Sequence, residues 1–136
     1  MEDPTAYVHQ SMALTETLGV RAESIDPGEV RLQLDWAPHL CTIGGVLHGG
    51  AIMTLADSAG AVCAFLNLPD GAQGTSTIES KTNFLGAVKE GTVSAVSTPL
   101  HAGRTTIVVE TSLYADDERL IAKVTQTQSV LWPRAG

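Results

Sequence analysis

The chain has 136 residues, of which 43% are hydrophobic and 17% are charged, and its formal net charge is −7. This length and composition are typical of a globular protein with one core, so we expect a single domain over residues 1–136. The acidic balance excludes general attraction to nucleic acid or anionic lipid, because the eight Lys and Arg residues are scattered. Cys41 and Cys63 form no CxxC pair, which favours two buried free thiols in a reducing, cytoplasmic compartment.

The N-terminal part contains two predicted elements before a glycine-containing loop. Apolar residues are spaced along residues 4–18 and Gly19 follows them, which predicts a short amphipathic helix. Residues 29–36 alternate between apolar and polar, which predicts a half-buried strand that Pro38 closes. No basic flank precedes an apolar stretch near the N-terminus, so we expect the mature chain to begin near Met1.

The longest apolar segment, residues 49–66, predicts a helix of roughly four to five turns. Thr54, Asp57 and Ser58 interrupt it, which argues against a membrane span. Its apolar residues cover nearly all faces, so other structure is expected to wrap it. Strand-like stretches with tight connections follow near residues 74–84, 92–100, 104–115 and 119–132. They predict an antiparallel sheet around this single helix, with one or two strands before it and a second copy of the chain covering its other half.

Two glycines, Gly49 and Gly50, follow His48 at the predicted start of this helix. Their N–H groups have no intrahelical acceptor and lie at the positive end of the helix dipole, and glycine lets a ligand approach the backbone closely. The pair is therefore a candidate oxyanion or phosphate site. A tight turn from loop into helix is the alternative reading of a glycine pair.

Asp57 is the only charged residue between Gly49 and Leu66. A buried carboxylate is costly unless it is paired, and no Lys or Arg lies one turn away, so Asp57 is a candidate base or nucleophile with a raised pKa. A structural aspartate is the alternative that the residues alone leave open. Helix rise of about 1.5 Å per residue separates Gly49 from Asp57 by roughly 12 Å, so one carbonyl cannot touch both within one chain. If both act on one bond, Asp57 must come from a neighbouring subunit.

Three features of the sequence, taken in combination, are typical of one protein family. They are the loop His48-Gly49-Gly50, the acid nine residues after that histidine, and the segment Thr77-Ile78-Glu79-Ser80-Lys81-Thr82-Asn83-Phe84-Leu85. In this combination the chain resembles the hotdog-fold acyl-CoA thioesterases of the phenylacetate-degradation and 4-hydroxybenzoyl-CoA type, and further matches lie at Gly103-Arg104-Thr105-Thr106, Asp116-Asp117 and Ala122. The resemblance covers nearly the whole chain. It implies an α+β hotdog fold, in which an antiparallel β-sheet wraps around one long central helix.

The resemblance also implies an activity, the hydrolysis of aryl- or medium-chain acyl-CoA thioesters to free acid and coenzyme A. The Gly49 N–H would hold the thioester carbonyl, and Asp57 of the neighbouring copy would activate a water or attack directly. Thr77, with Ser76 beside it, is the best match for a hydroxyl that places the water. His48 would be a positioning residue.

One position departs from the pattern of similar proteins, which often carry Asn or Gln six residues before the histidine, where an amide assists carbonyl binding. This chain has Thr42 there, whose hydroxyl reaches less far. Gly50 is expected to contribute to substrate binding, and Arg104 is the first candidate to bind a coenzyme A phosphate. Lys81 and Lys89 are read as solvated surface charges.

The partners implied are an acyl-CoA substrate and further copies of the chain, as a homodimer at minimum and as a homotetramer of two hotdog dimers. No resident cofactor or metal is expected, since His9, His39, His101 and the two cysteines have no metal-ligand spacing. Two other functions stay open. A hotdog-fold enoyl-CoA hydratase usually places its Asp and His about five residues apart, and a non-catalytic acyl-CoA binding protein would be consistent with Thr42.

Overall fold

A computed structural model describes residues 3–134 of the protein. Its helices are Pro4–Ser11 (α1), Ala13–Leu18 (α2) and Gly49–Leu66 (α3). Its strands are Arg21–Asp26 (β1), Glu29–Asp35 (β2), Gly74–Phe84 (β3), Thr92–Ala102 (β4), Thr106–Tyr114 (β5) and Leu120–Leu131 (β6). Two short 3-10 turns, Pro38–Leu40 and Ile43–Gly45, lie in the loop before α3.

The strands form one antiparallel sheet in the order β1-β2-β4-β5-β6-β3. Along β2, β4 and β5 the side chains alternate between buried and partly exposed, because one face of the sheet packs on α3 and the other does not. The antiparallel sheet around a single helix is thus confirmed. β3 lies at one edge of this sheet and β1 at the other.

The central helix α3 lies across the inner face of the sheet and packs mainly against β2, β4 and β5. Leu55, Ala59 and Cys63, four residues apart in sequence, are buried and form the stripe that faces the core. Half of the helix is buried in the single chain. The opposite side is open and carries the exposed side chains of Met53, Asp57 and Phe65. The expectation of a buried Asp57 is therefore wrong for the isolated chain, because the sheet wraps only one side of the helix.

The N-terminal segment differs from its prediction in one respect. Residues 4–18 form two helices, because Met12 between them has an extended backbone (φ −140°, ψ 93°). The Thr15 hydroxyl donates a hydrogen bond of 2.7 Å to the Met12 carbonyl, which stabilises the break. Gly19 ends α2 in the left-handed conformation (φ 78°), as predicted.

β1 is the strand that the sequence pattern did not define. β1 lies at the edge of the sheet, and all of its residues are exposed or partly exposed. A register shift between Ala22 and Ser24 also breaks the alternation that would have revealed it.

The two cysteines differ in their surroundings. Cys63 is buried in α3, and burial raises the pKa of its thiol to about 11, so this thiol stays protonated and unreactive. Cys41 is only partly buried, in contrast to the sequence expectation, and its Sγ donates to the Ala37 carbonyl at 3.3 Å.

Candidate active site

The N-terminus of α3 is organised by His48. This residue is the N-cap, and its Nδ1 accepts a hydrogen bond of 2.7 Å from the Gly50 N–H. Nδ1 is therefore the acceptor nitrogen of the ring, and the Gly50 N–H is occupied. The imidazole orients the first turn of the helix, and it leaves Gly49 as the neighbouring backbone donor.

Gly49 occupies the first helical position, where an N–H has no intrahelical acceptor. Within residues 3–134, no hydrogen bond of this N–H to another residue is found. Gly49 borders a groove of about 360 Å³ whose lining also includes Thr42, Ile52 and Phe84. The structure thus brings Thr42 and Gly49 to the same groove, although they come from different sides of the loop.

Asp57 lies on the open side of α3, a little more than two turns after Gly49. Its Oδ1 accepts a hydrogen bond of 2.5 Å from Nε2 of Gln126, a residue of β6 that is 1% exposed. Desolvation of this inner side of the carboxylate raises the pKa of Asp57 above its ordinary value, and the Gln126 hydrogen bond lowers the pKa and partly offsets that effect. The predicted direction of the pKa shift is confirmed even though the side chain is exposed in the isolated chain.

Thr77 lies on the edge strand β3 and contacts a second buried glutamine. Nε2 of Gln128 donates to Thr77 Oγ1 at 2.7 Å. Because the Thr77 oxygen accepts this bond, its own O–H remains available to donate to a water or to a substrate. Gln126 and Gln128 are two residues apart on β6, so they point to the same face of the sheet. On that face Gln126 donates to Asp57 and Gln128 donates to Thr77.

Ser76 does not join this group. It pairs with Ser129 in the register of β3 and β6, whereas Thr77 pairs with Gln128, so the two neighbouring side chains point to opposite faces of the sheet. A register shift at Ile78 then returns Ser80, opposite Gln126, to the same face as Thr77. The inner face of β3 is therefore polar next to Asp57.

Arg104 lies in the turn between β4 and β5. This turn spans residues 103–105, two residues later than predicted, because β4 extends through Ala102 and β5 begins at Thr106. The Arg104 guanidinium lies 4.6 Å from the centre of the Trp132 ring, and the Trp132 indole N–H donates to the Arg104 carbonyl at 2.9 Å. The turn lies beside the end of β6, whereas Gly49 lies near the start of β6. Arg104 and Gly49 of one chain are therefore at opposite ends of α3.

Sequence reasoning did not identify Gln126 or Gln128. The signal that could have found them is their position in β6, because both occupy inward-facing places in a strand whose other inward residues are apolar. A glutamine at such a place needs a partner. The partner residues are 69 and 51 positions away in sequence, so spacing could not supply them.

Comparisons with known proteins address the class of the molecule. ComA2 of Bacillus subtilis is 44% identical over 77 residues, an alignment that covers 57% of this chain and 61%, less than two thirds, of ComA2. A 1,4-dihydroxy-2-naphthoyl-CoA hydrolase of Listeria monocytogenes is 30% identical over 81% of this chain and 89% of its own length. The structure of a thioesterase family protein from Silicibacter pomeroyi is 33% identical and matches with a TM-score of 0.82, covering 93% of this chain and 96% of that one.

The six-stranded antiparallel sheet around one long helix is the hotdog fold, and the class of protein that it defines here is a hotdog-fold thioester hydrolase. The family model of the thioesterase superfamily matches residues 44–122, which include α3, β3, β4 and β5. The chain belongs to the thioesterase superfamily. The sequence resemblance to thioesterases is thus confirmed at the level of the superfamily.

Proposed function

We propose that the protein hydrolyses aryl- or medium-chain acyl-CoA thioesters to a free acid and coenzyme A, with Asp57 as the catalytic carboxylate. The observation that carries this proposal is the arrangement of Asp57, whose Oδ1 is held by a buried amide while its side chain faces the open side of α3. The relative from Listeria monocytogenes, named for an aroyl-CoA thioester, supports the aryl class of substrate.

Two chemical routes are available to the Asp57 carboxylate. As a general base it would take a proton from water while the water oxygen attacks the thioester carbonyl, after which the C–S bond breaks and the thiolate leaves. As a nucleophile its oxygen would attack the carbonyl, expel the thiolate and form a mixed anhydride that water then hydrolyses. Mass spectrometry of rapidly quenched protein distinguishes them, because only the second route adds the acyl mass to Asp57.

The Gly49 N–H is the proposed donor to the carbonyl oxygen as negative charge develops on it. A free N–H at a helix N-terminus suits this role, since its dipole is fixed before the reaction begins. Thr42 borders the same groove and would add a hydroxyl donor in place of the usual amide. His48 would act by orienting this turn, and its contact with the Gly50 N–H leaves Gly50 a secondary, packing role toward the substrate.

Thr77 is proposed to hold the attacking water or the carboxylate through its O–H. Its oxygen already accepts from Gln128, which restricts the directions in which the O–H can donate. Ser76 is proposed as a contact for the coenzyme A chain on the outer face of β3, where it lies exposed. Arg104 is proposed to bind a coenzyme A phosphate, with Trp132 holding its guanidinium.

A second copy of the chain is proposed to complete each site. Gly49 and Asp57 of one chain are separated by roughly 12 Å of helix at about 1.5 Å per residue, too far for one carbonyl to touch both. β3 is an edge strand with free hydrogen-bonding groups, and Ile78 and Phe84 on it are 64% and 50% exposed. Edges of this kind are normally covered, so the proposed dimer joins two copies along β3 and places their α3 helices side by side.

The wider organisation is also part of the proposal. We expect residues 1–136 to act as one domain and two dimers to associate as a homotetramer. The unpaired cysteines favour a cytoplasmic location. Sedimentation measures the assembly: a stable folded monomer at micromolar concentration contradicts the shared site.

The decisive experiment is a panel of aryl and aliphatic acyl-CoA esters with release of the thiol followed over time. Parent protein is compared with Asp57→Asn. Turnover by the parent and its loss in the variant support the proposal. Binding of acyl-CoA without turnover would instead support the acyl-CoA binding protein, and addition of water to an enoyl-CoA would support the hydratase.

A further inference from the structure

A hydrogen bond joins the buried side chain of Gln126 to the exposed side chain of Asp57. Gln126 lies on the inner face of β6, surrounded by the core, yet its amide nitrogen reaches the carboxylate on the open side of α3. The bond of 2.5 Å fixes the oxygen Oδ1. The second oxygen, Oδ2, is left for chemistry.

Gly60 makes this contact possible. It follows Asp57 by three residues on α3, and a Cβ at Gly60 would stand 2.0 Å from Oε1 of Gln126. The glutamine amide therefore occupies the space that any side chain at position 60 would fill. Glycine in the middle of a helix lowers helix stability relative to alanine, so this glycine has a packing reason.

The amide oxygen of Gln126 differs from the amide nitrogen in its hydrogen bonding. Its Oε1 is buried and has no hydrogen-bond partner among residues 3–134. A buried acceptor without a partner costs stability, and an apolar side chain of similar size would avoid that cost. Stability alone thus does not favour glutamine here, whereas control of Asp57 does.

We infer that Gln126 is a positioning residue for the Asp57 carboxylate, and that Gly60 provides the space in which its amide lies. This inference rests on the proposed function, because it assigns Gln126 a role in the reaction of Asp57. By fixing Oδ1, the amide restricts rotation of the carboxylate and aims Oδ2 away from the core, toward the side on which a substrate would bind.

The same amide acts on the charge of Asp57. The hydrogen bond favours the ionised carboxylate and lowers its pKa, opposing the effect of burial. Gln126 contacts Asp57 directly, and the residues of β3 and β6 beside Gln126 on the same face of the sheet, Gln128, Thr77 and Ser80, are uncharged. The titratable Glu79 and Lys81 of β3 point to the outer face, and Lys123 of β6 is paired with Glu110 at 2.8 Å.

Two variants test the inference by different routes. Gln126→Leu removes the donor with little change in volume, and Gly60→Ala keeps the glutamine but forces its amide to move. Both are expected to lower kcat by about 10-fold or more with KM changed by less than about twofold, because a misaimed carboxylate affects the reaction and not binding. The acid limb of the pH profile of kcat/KM is expected to move to higher pH in both.

A matched control removes a buried polar contact outside the sheet and outside α3. The Thr15 side chain of α2 is fully buried, and its hydroxyl donates to the Met12 carbonyl at 2.7 Å. The variant Thr15→Val is expected to keep the parent kcat and the parent acid limb. Melting temperatures of all variants identify any loss of folding, and a carboxyl NMR titration of Asp57 in Gln126→Leu measures its pKa without relying on turnover.

The outcomes separate this inference from the proposed function. An inactive Asp57→Asn together with Gln126→Leu and Gly60→Ala variants that keep the parent kcat and acid limb would overturn the role of Gln126 alone. An Asp57→Asn variant that hydrolyses at the parent rate would overturn the proposed function, and the positioning role with it. A fall in kcat and an acid limb at higher pH in both variants, with a raised Asp57 pKa in Gln126→Leu, support the inference.

Discussion

The ring of Phe84 lies over Gly49, with its Cζ 3.1 Å from the place where a Cβ on Gly49 would stand. The contact joins the end of the edge strand to the start of the central helix, and it borders the groove at the proposed oxyanion donor. Gly49→Ala is therefore expected to push the ring aside or to tilt the first turn.

We expect Gly49→Ala to lower kcat/KM by about 10-fold or more, in line with the loss of a well-placed transition-state donor. Adding Phe84→Leu gives the methyl group room. Recovery in the double variant would assign the loss to the steric contact. No loss in Gly49→Ala would contradict a substrate position close to this backbone. Steady-state kinetics with the best acyl-CoA ester measures kcat/KM for the parent, the single variant and the double variant.

Asp57→Asn is expected to reduce hydrolysis by at least about 10²-fold, the lower end for loss of a general base. The fold should persist and gain stability at neutral pH. The raised pKa of Asp57 means that folding disfavours its charged form, so the parent loses stability as the pH rises from the unfolded pKa through the folded pKa.

The gain in melting temperature from Asp57→Asn should therefore be full above the folded pKa of Asp57 and should vanish below its unfolded pKa. Thermal unfolding of parent and variant across acid and neutral pH measures it. A structural aspartate predicts the reverse pattern, a variant that is less stable at neutral pH and retains kcat.

Thr77→Val should lower kcat by about 10-fold, because the O–H that Gln128 orients is lost. It also leaves the buried Gln128 amide without its acceptor, which should cost about 1–3 kcal/mol in the free energy of unfolding. Thr77→Ser keeps the hydroxyl and is the control. Its kcat and its free energy of unfolding are expected to be close to those of the parent. Chemical denaturation and kinetics on the same preparations separate the two effects. A Thr77→Val variant with unchanged kcat would remove Thr77 from the site.

Much of the fold was predictable because the periodicities are strong. The alternation of apolar and polar residues predicted β2. The apolar, proline-free segment predicted α3, which begins at Gly49 and ends at Leu66. β1 was not defined, since none of its side chains is buried and the register shift between Ala22 and Ser24 breaks its alternation. The break at Met12 was missed because it depends on a side-chain bond from Thr15 and not on a helix-breaking residue.

The candidate site could be predicted only where its residues are close in sequence. His48, Gly49 and Asp57 lie on one helix and its cap, so spacing related them. Gln126 reaches Asp57 from β6, and only the sheet register brings them together. The exposure of Asp57 was also mispredicted, because it depends on which side of the helix the sheet leaves open.

Arg104→Ala should raise KM for coenzyme A esters more than it lowers kcat, since a phosphate contact acts on binding. The effect should shrink at high salt, where exposed charges are screened. Arg104→Lys should recover only part of the affinity, because an ammonium lacks the planar stacking on Trp132. Lys89→Ala is the control for a general loss of positive charge and should leave KM unchanged. Equal KM values for Arg104→Ala and the parent would contradict the phosphate contact.

The sharing of each site between two copies predicts recovery in mixed dimers. Alone, Asp57→Asn chains should be nearly inactive, and Gly49→Ala chains should keep at most about a tenth of the parent activity. If a pocket takes Gly49 from one copy and Asp57 from the other, a mixed dimer has one pocket with both native residues and one with neither. Random mixing makes about half of the dimers mixed, so activity should return to about a quarter of the parent level under two-fold symmetry.

Unfolding the two variants together and refolding them produces the mixture, and each variant refolded alone is the control. For a free dimer, two-step purification on different affinity tags should raise the recovered activity to about half of the parent value, one native pocket in two. For a tetramer of two dimers the same purification also retains pairs of unmixed dimers, so the recovered activity should rise only slightly above a quarter. If every pocket is built within a single chain, both mixed and purified dimers stay as inactive as the variants themselves. Such a result would contradict the shared site, and with it the reason given for a dimer along β3.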